Sequence, residues 1–400
     1  MPGGLFCIIG WRVYITPVTV QPNAGRDGPL TTMIPFFHPA ARPIKAVVDL
    51  GALADNLALA RDLAEPAKVF AVVKANAYGH GLSRVLPALA AADGLALLEL
   101  ESAIYLRALG WRKPILLLEG FFDGSELPVM AEHGFATVVH HEAQVRALCA
   151  ARLERRLDVF VKVNTGMNRL GLSAGRVAQT VSRLRGSDAV RTLTLMTHFA
   201  SADEPDGLLE PMSLFRGVAE RFDLPVSLAN SAGVIRYQEV GGDVVRPGIM
   251  LYGSSPFATQ AGTAARLGLK PVMSLCSRII AVQSLAPGER VGYGGTYRAE
   301  RHERIGIIAC GYADGYPRHA PGGTPVQVAG ERTRLVGRVS MDMMAVDLTG
   351  LPAVQVGAPV ELWGTALPVD EVAACAGTIG YELLCAVTQR VPFEVTGLTP

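Results

Sequence analysis

The residues of this 400-residue chain that could do chemistry gather at the ends of apolar runs. The first is Lys74, which closes VFAVVK (69–74) within KVFAVVKANAYGHG (68–81) and is followed at once by a polar, Gly-containing turn. Burial disfavours a charged ammonium, so a lysine delivered by a buried strand tends toward a nucleophilic amine suited to Schiff-base chemistry. Taken alone, it fits equally well a strand-end lysine that snorkels to water. Further polar residues sit in the same kind of place: Lys162 and Asn164 in DVFVKVN (158–164), His198 in LTLMTHF (193–199), Asn230 and Ser231 at the end of PVSLAN (225–230), and Arg246 in VVRPGIMLYG (244–253). Each has an ordinary structural reading, and a lone histidine such as His198 is more often a satisfied core residue than a catalyst. Two small-residue turns, Asn230-Ser231-Ala232-Gly233 and Arg246-Pro247-Gly248-Ile249, let backbone N–H groups approach an anion closely, and Ser231 adds a hydroxyl.

The elements needed to position these residues repeat along the chain. From residue 42, RPIKAVVDL reads as a strand and GALADNLALARDLA as an amphipathic helix. Apolar runs then recur at 69–74, 95–100, 114–120, 136–141, 158–164, 193–199, 225–230 and 244–253, separated by helical stretches such as ESAIYLRAL and EPMSLFRGVAERF. Such alternation over roughly 250 residues fits an α/β fold of the (β/α)8 TIM-barrel type. A doubly wound open sheet is the alternative, but it would more naturally carry a Gly-rich nucleotide fingerprint after its first strand, and none appears. In a barrel the chemistry sits at the carboxyl ends of the strands, and phosphate is often held after strands seven and eight. The polar residues above then share one end, with an amine facing a phosphate site, which is the layout that pyridoxal phosphate requires.

After about residue 270 short β-branched runs alternate with the turn signals PGER, GYGG, PGGT, VAGER and DLTG, giving a C-terminal, mainly β domain over 271–400 that ends with a short helix around VDEVAACAG. The barrel is expected over 42–270. Residues 1–41, rich in Pro and Gly and without periodicity, read as a disordered extension or as upstream sequence from a misplaced start, not as a secretory signal. The formal net charge of +1, without long runs of one sign, points away from nucleic acid and from anionic membranes and toward a small-molecule partner. No apolar run approaches the ~20 residues of a membrane span. The six cysteines lack metal-ligand or framework spacing and read as reduced thiols of a cytoplasmic protein. The pair His140-His141 lacks partners at ligand spacing and reads as loop, so no metal is expected.

From about residue 42 onward the chain resembles the alanine racemases, the barrel-type pyridoxal phosphate enzymes. The resemblance is carried by AVVKANAYGHG (71–81), KVNTGMNRLG (162–171), THFASAD (197–203), ANSAG (229–233), RPGIMLYG (246–253), VGYGGTY (291–297), GYADGYPR (311–318) and GRVSMDMMAVD (337–347), in that order. It implies that Lys74 carries the cofactor as a Schiff base and handles the D-enantiomer, while Tyr293 serves the L-enantiomer from a neighbouring subunit of a homodimer with shared sites. It further implies that Tyr78, Ser231, Gly248 and Ile249 hold the phosphate, with Asn230 beside them, and that Arg169 and the Met341 N–H receive the alanine carboxylate. Arg246 would face the pyridine nitrogen, buttressed by a hydrogen bond that it donates to His198. Lys162 matches a lysine carbamylated in many members, and Tyr312, Asp314 and Asp342 resemble entrance or supporting positions. In two places the chain departs from the family's pattern: Asn164 stands where aspartate is frequent, and Gln389 where some members place a tyrosine near the phosphate.

Two-base proton exchange makes these roles chemically coherent, because racemisation removes a proton from one face of a carbon and returns one to the other. The competing readings are another enzyme of the same barrel family, such as a basic amino-acid decarboxylase or a broader racemase, and a non-catalytic pyridoxal phosphate carrier built on the barrel alone. The former would need different C-terminal motifs; the latter would lack the β domain that supplies Tyr293.

Overall fold

The computed structural model describes residues 42–237, 242–257 and 263–397. The extension expected over 1–41, with Cys7, lies outside the described residues.

The first strand, β1 (Lys45–Asp49), leads into the helix Leu50–Ala64, which Asp49 caps by accepting from the Ala52 N–H. Eight parallel strands then close a barrel in chain order: β2 (Lys68–Val72), β3 (Gly94–Leu97), β4 (Ile115–Leu117), β5 (Ala136–Val139), β6 (Leu157–Lys162), β7 (Val190–Met196), β8 (Val226–Ser227) and β9 (Val244–Val245). Closure is made by β9 on β2, where Lys68 pairs with Val244 and Val69 with Val245. Strands β3, β4 and β5 are buried throughout, as expected where side chains fill the interior and helices cover the outside. Several strands are shorter than their apolar runs. The last run breaks at Pro247, which has no N–H for a ladder, and its remainder folds as the 3-10 turn Ile249–Tyr252. That break is what delivers Gly248 and Ile249 to the barrel mouth.

The C-terminal region is built from β10 (Met273–Leu285), β11 (Arg290–Val291), β12 (Tyr297–Arg298), β13 (Glu303–Ile308), β14 (Pro325–Val328), β15 (Glu331–Val336), β16 (Met344–Asp347), β17 (Pro359–Trp363) and β18 (Phe393–Thr396). The long β10 shifts register between Ile279 and Ala281, so that one part pairs with β1 and β17 and the other with β13. The antiparallel ladder β13-β16-β15-β14-β17-β10 thereby closes back on β13. Strand β1 does not join the barrel that follows it: it lies antiparallel to β10 and parallel to β18. One apolar core runs through barrel and β region alike. Among the described residues no helix is long and apolar enough to cross a membrane.

Candidate active site

Strand β2 ends at Val72, and Lys74 opens a short helical segment, Lys74–Tyr78, instead of closing the strand. Within it Ala75, Asn76, Ala77 and Tyr78 have φ of 53°, 53°, 55° and 51°, a left-handed turn made of four non-glycine residues. Each such residue costs about 1–2 kcal/mol, so the turn persists only because its surroundings hold it. The Ala77 N–H donates to Val73 O at 2.9 Å, the Gly81 N–H to Asn76 O at 2.8 Å, and the Leu82 N–H to Asn76 Oδ1 at 2.9 Å. Next comes Gly79 (φ 82°), where a Cβ would lie 2.2 Å from the Leu384 carbonyl oxygen. The turn leaves Lys74 half-buried at the mouth and Tyr78 buried beside it.

Across the mouth, the turn after β8 starts the helix Ser231–Arg236, capped by Asn230 Oδ1, which accepts from the Gly233 N–H at 3.0 Å. Ser231 Oγ accepts from the Gly248 N–H at 2.8 Å and the Met250 N–H at 3.3 Å, tying the turns after β8 and β9 together. Gly248 must be glycine here, since a Cβ would sit 2.4 Å from the Tyr78 hydroxyl. A cavity of about 300 Å³ results, lined by Lys74, Tyr78, His198, Asn230, Ser231, Arg246, Gly248 and Ile249 together with Tyr381 from the C-terminal helix Gly380–Ala386. Burial raises the Tyr78 and Tyr381 hydroxyl pKa values, and both phenols stay neutral donors at neutral pH.

A smaller cavity of about 120 Å³ adjoins it, sharing Lys74, His198 and Arg246 and adding Lys162, Arg169 and Glu119. Arg246 is buried, with its guanidinium fixed on Ser227 Oγ, Thr197 O (2.6 Å) and Leu228 O (3.0 Å). Burial lowers it to about 10, which still leaves a cation at neutral pH. Lys162, buried at the end of β6, falls to about 8 through burial and then the charges of Arg246 and Arg169. His198 falls to about 3 for the same reasons, burial first and Arg246 next, and is neutral. Arg169 stands on a loop pinched by the Val163–Leu172 bridge. Asn164 organises that loop: its Oδ1 accepts from the Gly166 and Asn168 N–H groups, and its amide donates to Asn168 Oδ1 at 2.8 Å. An aspartate at 164 would lack that last bond.

Two family models span nearly all of this: "Alanine racemase, N-terminal domain" matches residues 48–256, and "Alanine racemase, C-terminal domain" matches 272–395. The chain belongs to the alanine racemase family. It is 55% identical over 351 residues to a catabolic alanine racemase of Klebsiella aerogenes, covering 88% of this chain and 98% of that protein. An alanine racemase of Erwinia tasmaniensis is 51% identical over 354 residues, 88% of this chain and 99% of its own length. Among solved structures, the biosynthetic alanine racemase of Pseudomonas aeruginosa superposes with a TM-score of 0.86 at 49% identity, covering 89% of this chain and 99% of that one. That of Bartonella henselae, with covalently bound pyridoxal phosphate, gives 0.80 at 28% identity over 88% and 99%. As an alanine racemase the chain is an isomerase that acts on alanine.

Tyr293 is 70% exposed and Met341 52%, and neither lines the Lys74 cavities. Tyr312 donates its N–H to Ser340 O at 3.0 Å and also lies at the surface. Asp314 is fully buried and holds Arg42 at 2.8 Å and Arg390 at 2.7 Å, while Asp342 takes the other side of Arg390 at 2.8 Å; these carboxylates brace the β region and do not line the cavity. Two expectations are corrected. The hydrogen bonds of Arg246 go to Ser227, Thr197 and Leu228, not to His198, because Nη1 and Nη2 are both taken by these acceptors while the residue still lines the cavities. The tail's tyrosine in the cavity is Tyr381, 6.0 Å from the Tyr78 ring, whereas Gln389 is exposed. His140 and His141 serve local structure, bonding to Glu119 O and capping the helix Glu142–Ala150. Sequence reasoning also passed over Asp370, which accepts from Ser254 Oγ and from the Ser255 N–H (2.8 Å) and pins the C-terminal helices to the cavity wall.

Proposed function

We propose that this enzyme interconverts L- and D-alanine by moving the α-proton between two opposed groups, Lys74 of one chain and Tyr293 of a second copy, on bound pyridoxal phosphate. The observation that carries the reading is the division of the residues: an amine and a Gly248–Ser231–Tyr78 cradle share one cavity, while the matching tyrosine stands exposed on the β region. The residues present fit the cofactor, since a side chain at 248 would fill the cradle, and Ser231, Gly248 and Ile249 line the cavity beside Tyr78. Tyr78, Ser231, Gly248, Ile249 and Tyr381 would hold the phosphate, with Asn230 capping the helix start. When bound, the cofactor supplies an electron sink that acidifies the α-C–H of an amino acid joined to it. Lys74 would anchor the cofactor and then hold or release a proton on one face, and Tyr293 would do so on the other.

Arg246 would meet the ring nitrogen without handing over a proton, which keeps the sink weak and disfavours transamination. Arg169, with the Met341 N–H of the second copy, would take the alanine carboxylate. Lys162, already near 8 among cations, is suited to attack carbon dioxide through its neutral nitrogen; the carbamate forms as a proton leaves, and the new anion steadies Arg169. Enantiomers have equal free energy in water, so the same chemistry feeds or drains D-alanine. The five described cysteines stand unbridged, in keeping with a reducing cytoplasm.

Two measurements test this together: a Schiff-base absorption band in the purified protein, and interconversion of the alanine enantiomers. A protein supplied with pyridoxal phosphate that shows neither is not the enzyme described.

A further inference from the structure

The left-handed turn that presents Lys74 and Tyr78 has a histidine at its exit. His80 is fully buried, and its Nδ1 lies 3.0 Å from both Ala77 O and Tyr78 O. Carbonyl oxygens only accept, so Nδ1 carries the hydrogen. Burial lowers the imidazole to about 4, so Nε2 is left as a bare lone pair, buried and without a partner among the described residues. A buried polar atom with no partner costs stability and asks for a reason. A phenylalanine would fill the space without that cost, so the reason lies in the Nδ1–H.

The ring also packs on Tyr252, centroids 4.7 Å apart, and Tyr252 in turn stacks on Tyr78 at 4.7 Å. The Tyr252 hydroxyl donates to Val72 O at 2.9 Å, the last residue of β2. Tyr252 closes the same 3-10 turn that begins with Ile249 beside Gly248. One cluster therefore joins the strained turn, the strand end before it and the turn after β9. Its members belong to both sides of the cavity.

We propose that His80 is a positioning residue: its Nδ1–H, forked onto the Ala77 and Tyr78 carbonyls and backed by Tyr252, holds the left-handed turn and so fixes where the Lys74 amine and the Tyr78 hydroxyl meet the cofactor. This rests on the reading of the cavity as a pyridoxal phosphate site. Without the forked donor the two carbonyls lose a partner, and the four left-handed residues relax toward ordinary conformations. Lys74 and Tyr78 then shift relative to Ser231 and Gly248.

The test compares wild type with His80→Leu, His80→Asn and Tyr252→Phe, measuring pyridoxal phosphate affinity by fluorescence quenching of stripped protein, the pH dependence of the Schiff-base band, and kcat and KM for alanine. His80→Leu is expected to weaken cofactor affinity and lower kcat by about tenfold or more, with the band's titration displaced. His80→Asn, whose amide places an N–H near the Nδ1 position, should recover most of both. Tyr252→Phe keeps the ring but frees the Val72 carbonyl, and should weaken the cofactor several-fold even if His80→Leu does not fold. Equal losses in His80→Leu and His80→Asn would overturn the proposal in favour of plain ring packing. So would a His80→Leu protein that loses only thermal stability, or an indifferent Tyr252→Phe. A wild type that takes up no pyridoxal phosphate would instead bring down the underlying site reading, and the clasp with it.

Discussion

The barrel mouth and the Tyr293 surface, which the proposed reaction would bring together, are built in opposite ways. At the mouth every group has an internal reason for its place: Arg246 is locked by three acceptors, Ser231 by two backbone donors, and Tyr78 by two neighbouring rings. Around Tyr293 the side chains reach solvent, and Gly292, Gly294 and Gly295 all take positive φ, shaping a loop that projects instead of packing. One is preorganised by its own fold; the other projects into solvent. The exposed apolar side chains of Tyr293, Met341 and Met343 are in keeping with the second copy that the proposed function calls for.

The largest expected effect comes from breaking the internal half. Lys74→Ala should abolish covalent cofactor attachment and lower kcat/KM by about 10⁴-fold or more, read by the loss of the Schiff-base band and of D-alanine production. Tyr293→Phe should cost about 10²–10⁴-fold in kcat while cofactor affinity stays unchanged. Mixing these two inactive proteins should return part of the activity once subunits exchange; no return, with exchange verified by mass spectrometry, would leave the two halves in one chain and collapse the comparison. Gly248→Ala, by forcing a Cβ against the Tyr78 hydroxyl, should destabilise the stripped protein by about 1–3 kcal/mol, the usual cost of overpacking, and weaken cofactor binding as Tyr78 is displaced.

The smallest effect concerns the brace behind the exposed half. Burial alone would raise the Asp314 carboxyl, but the hydrogen bonds from Arg42 and Arg390 outweigh it and hold it below its ordinary value. A carboxylate lowered in the folded state adds stability that is present above its unfolded pKa of about 3.9 and is lost as pH falls through the folded value. Asp314→Asn should therefore destabilise the protein by about 2 kcal/mol at neutral pH, the cost of breaking a buried pair discounted because both arginines are partly exposed. The difference from wild type should shrink in denaturant titrations run below pH 4.

The mouth was more legible in the sequence than the surface behind it. Periodicity marked all eight barrel strands, because each is an apolar run covered on both faces, and the polar residues ending them stood out for that reason. Tyr381 and His80 did not stand out. Tyr381 sits on a helix whose pattern reads as packing, and the value of His80 depends on a left-handed backbone that no residue preference announces. The strand before the eight was also visible as an apolar run, but nothing in its pattern named its ladder partners, β10 and β18, which lie more than 200 residues away.

The pairing of β1 has a consequence for how the protein is made. Lys45–Asp49 leaves the ribosome before any of the barrel, yet its ladder partners are Met273–Cys276 and Phe393–Thr396. At about 5–20 residues per second, a β-rich edge with unpaired N–H and C=O groups waits many seconds for the first of these and longer for the second. The barrel, whose pairings are all completed by residue 245, can close during that wait. Among the described strands the first to be made is thus among the last able to complete its pairing, since β18 ends only at Thr396.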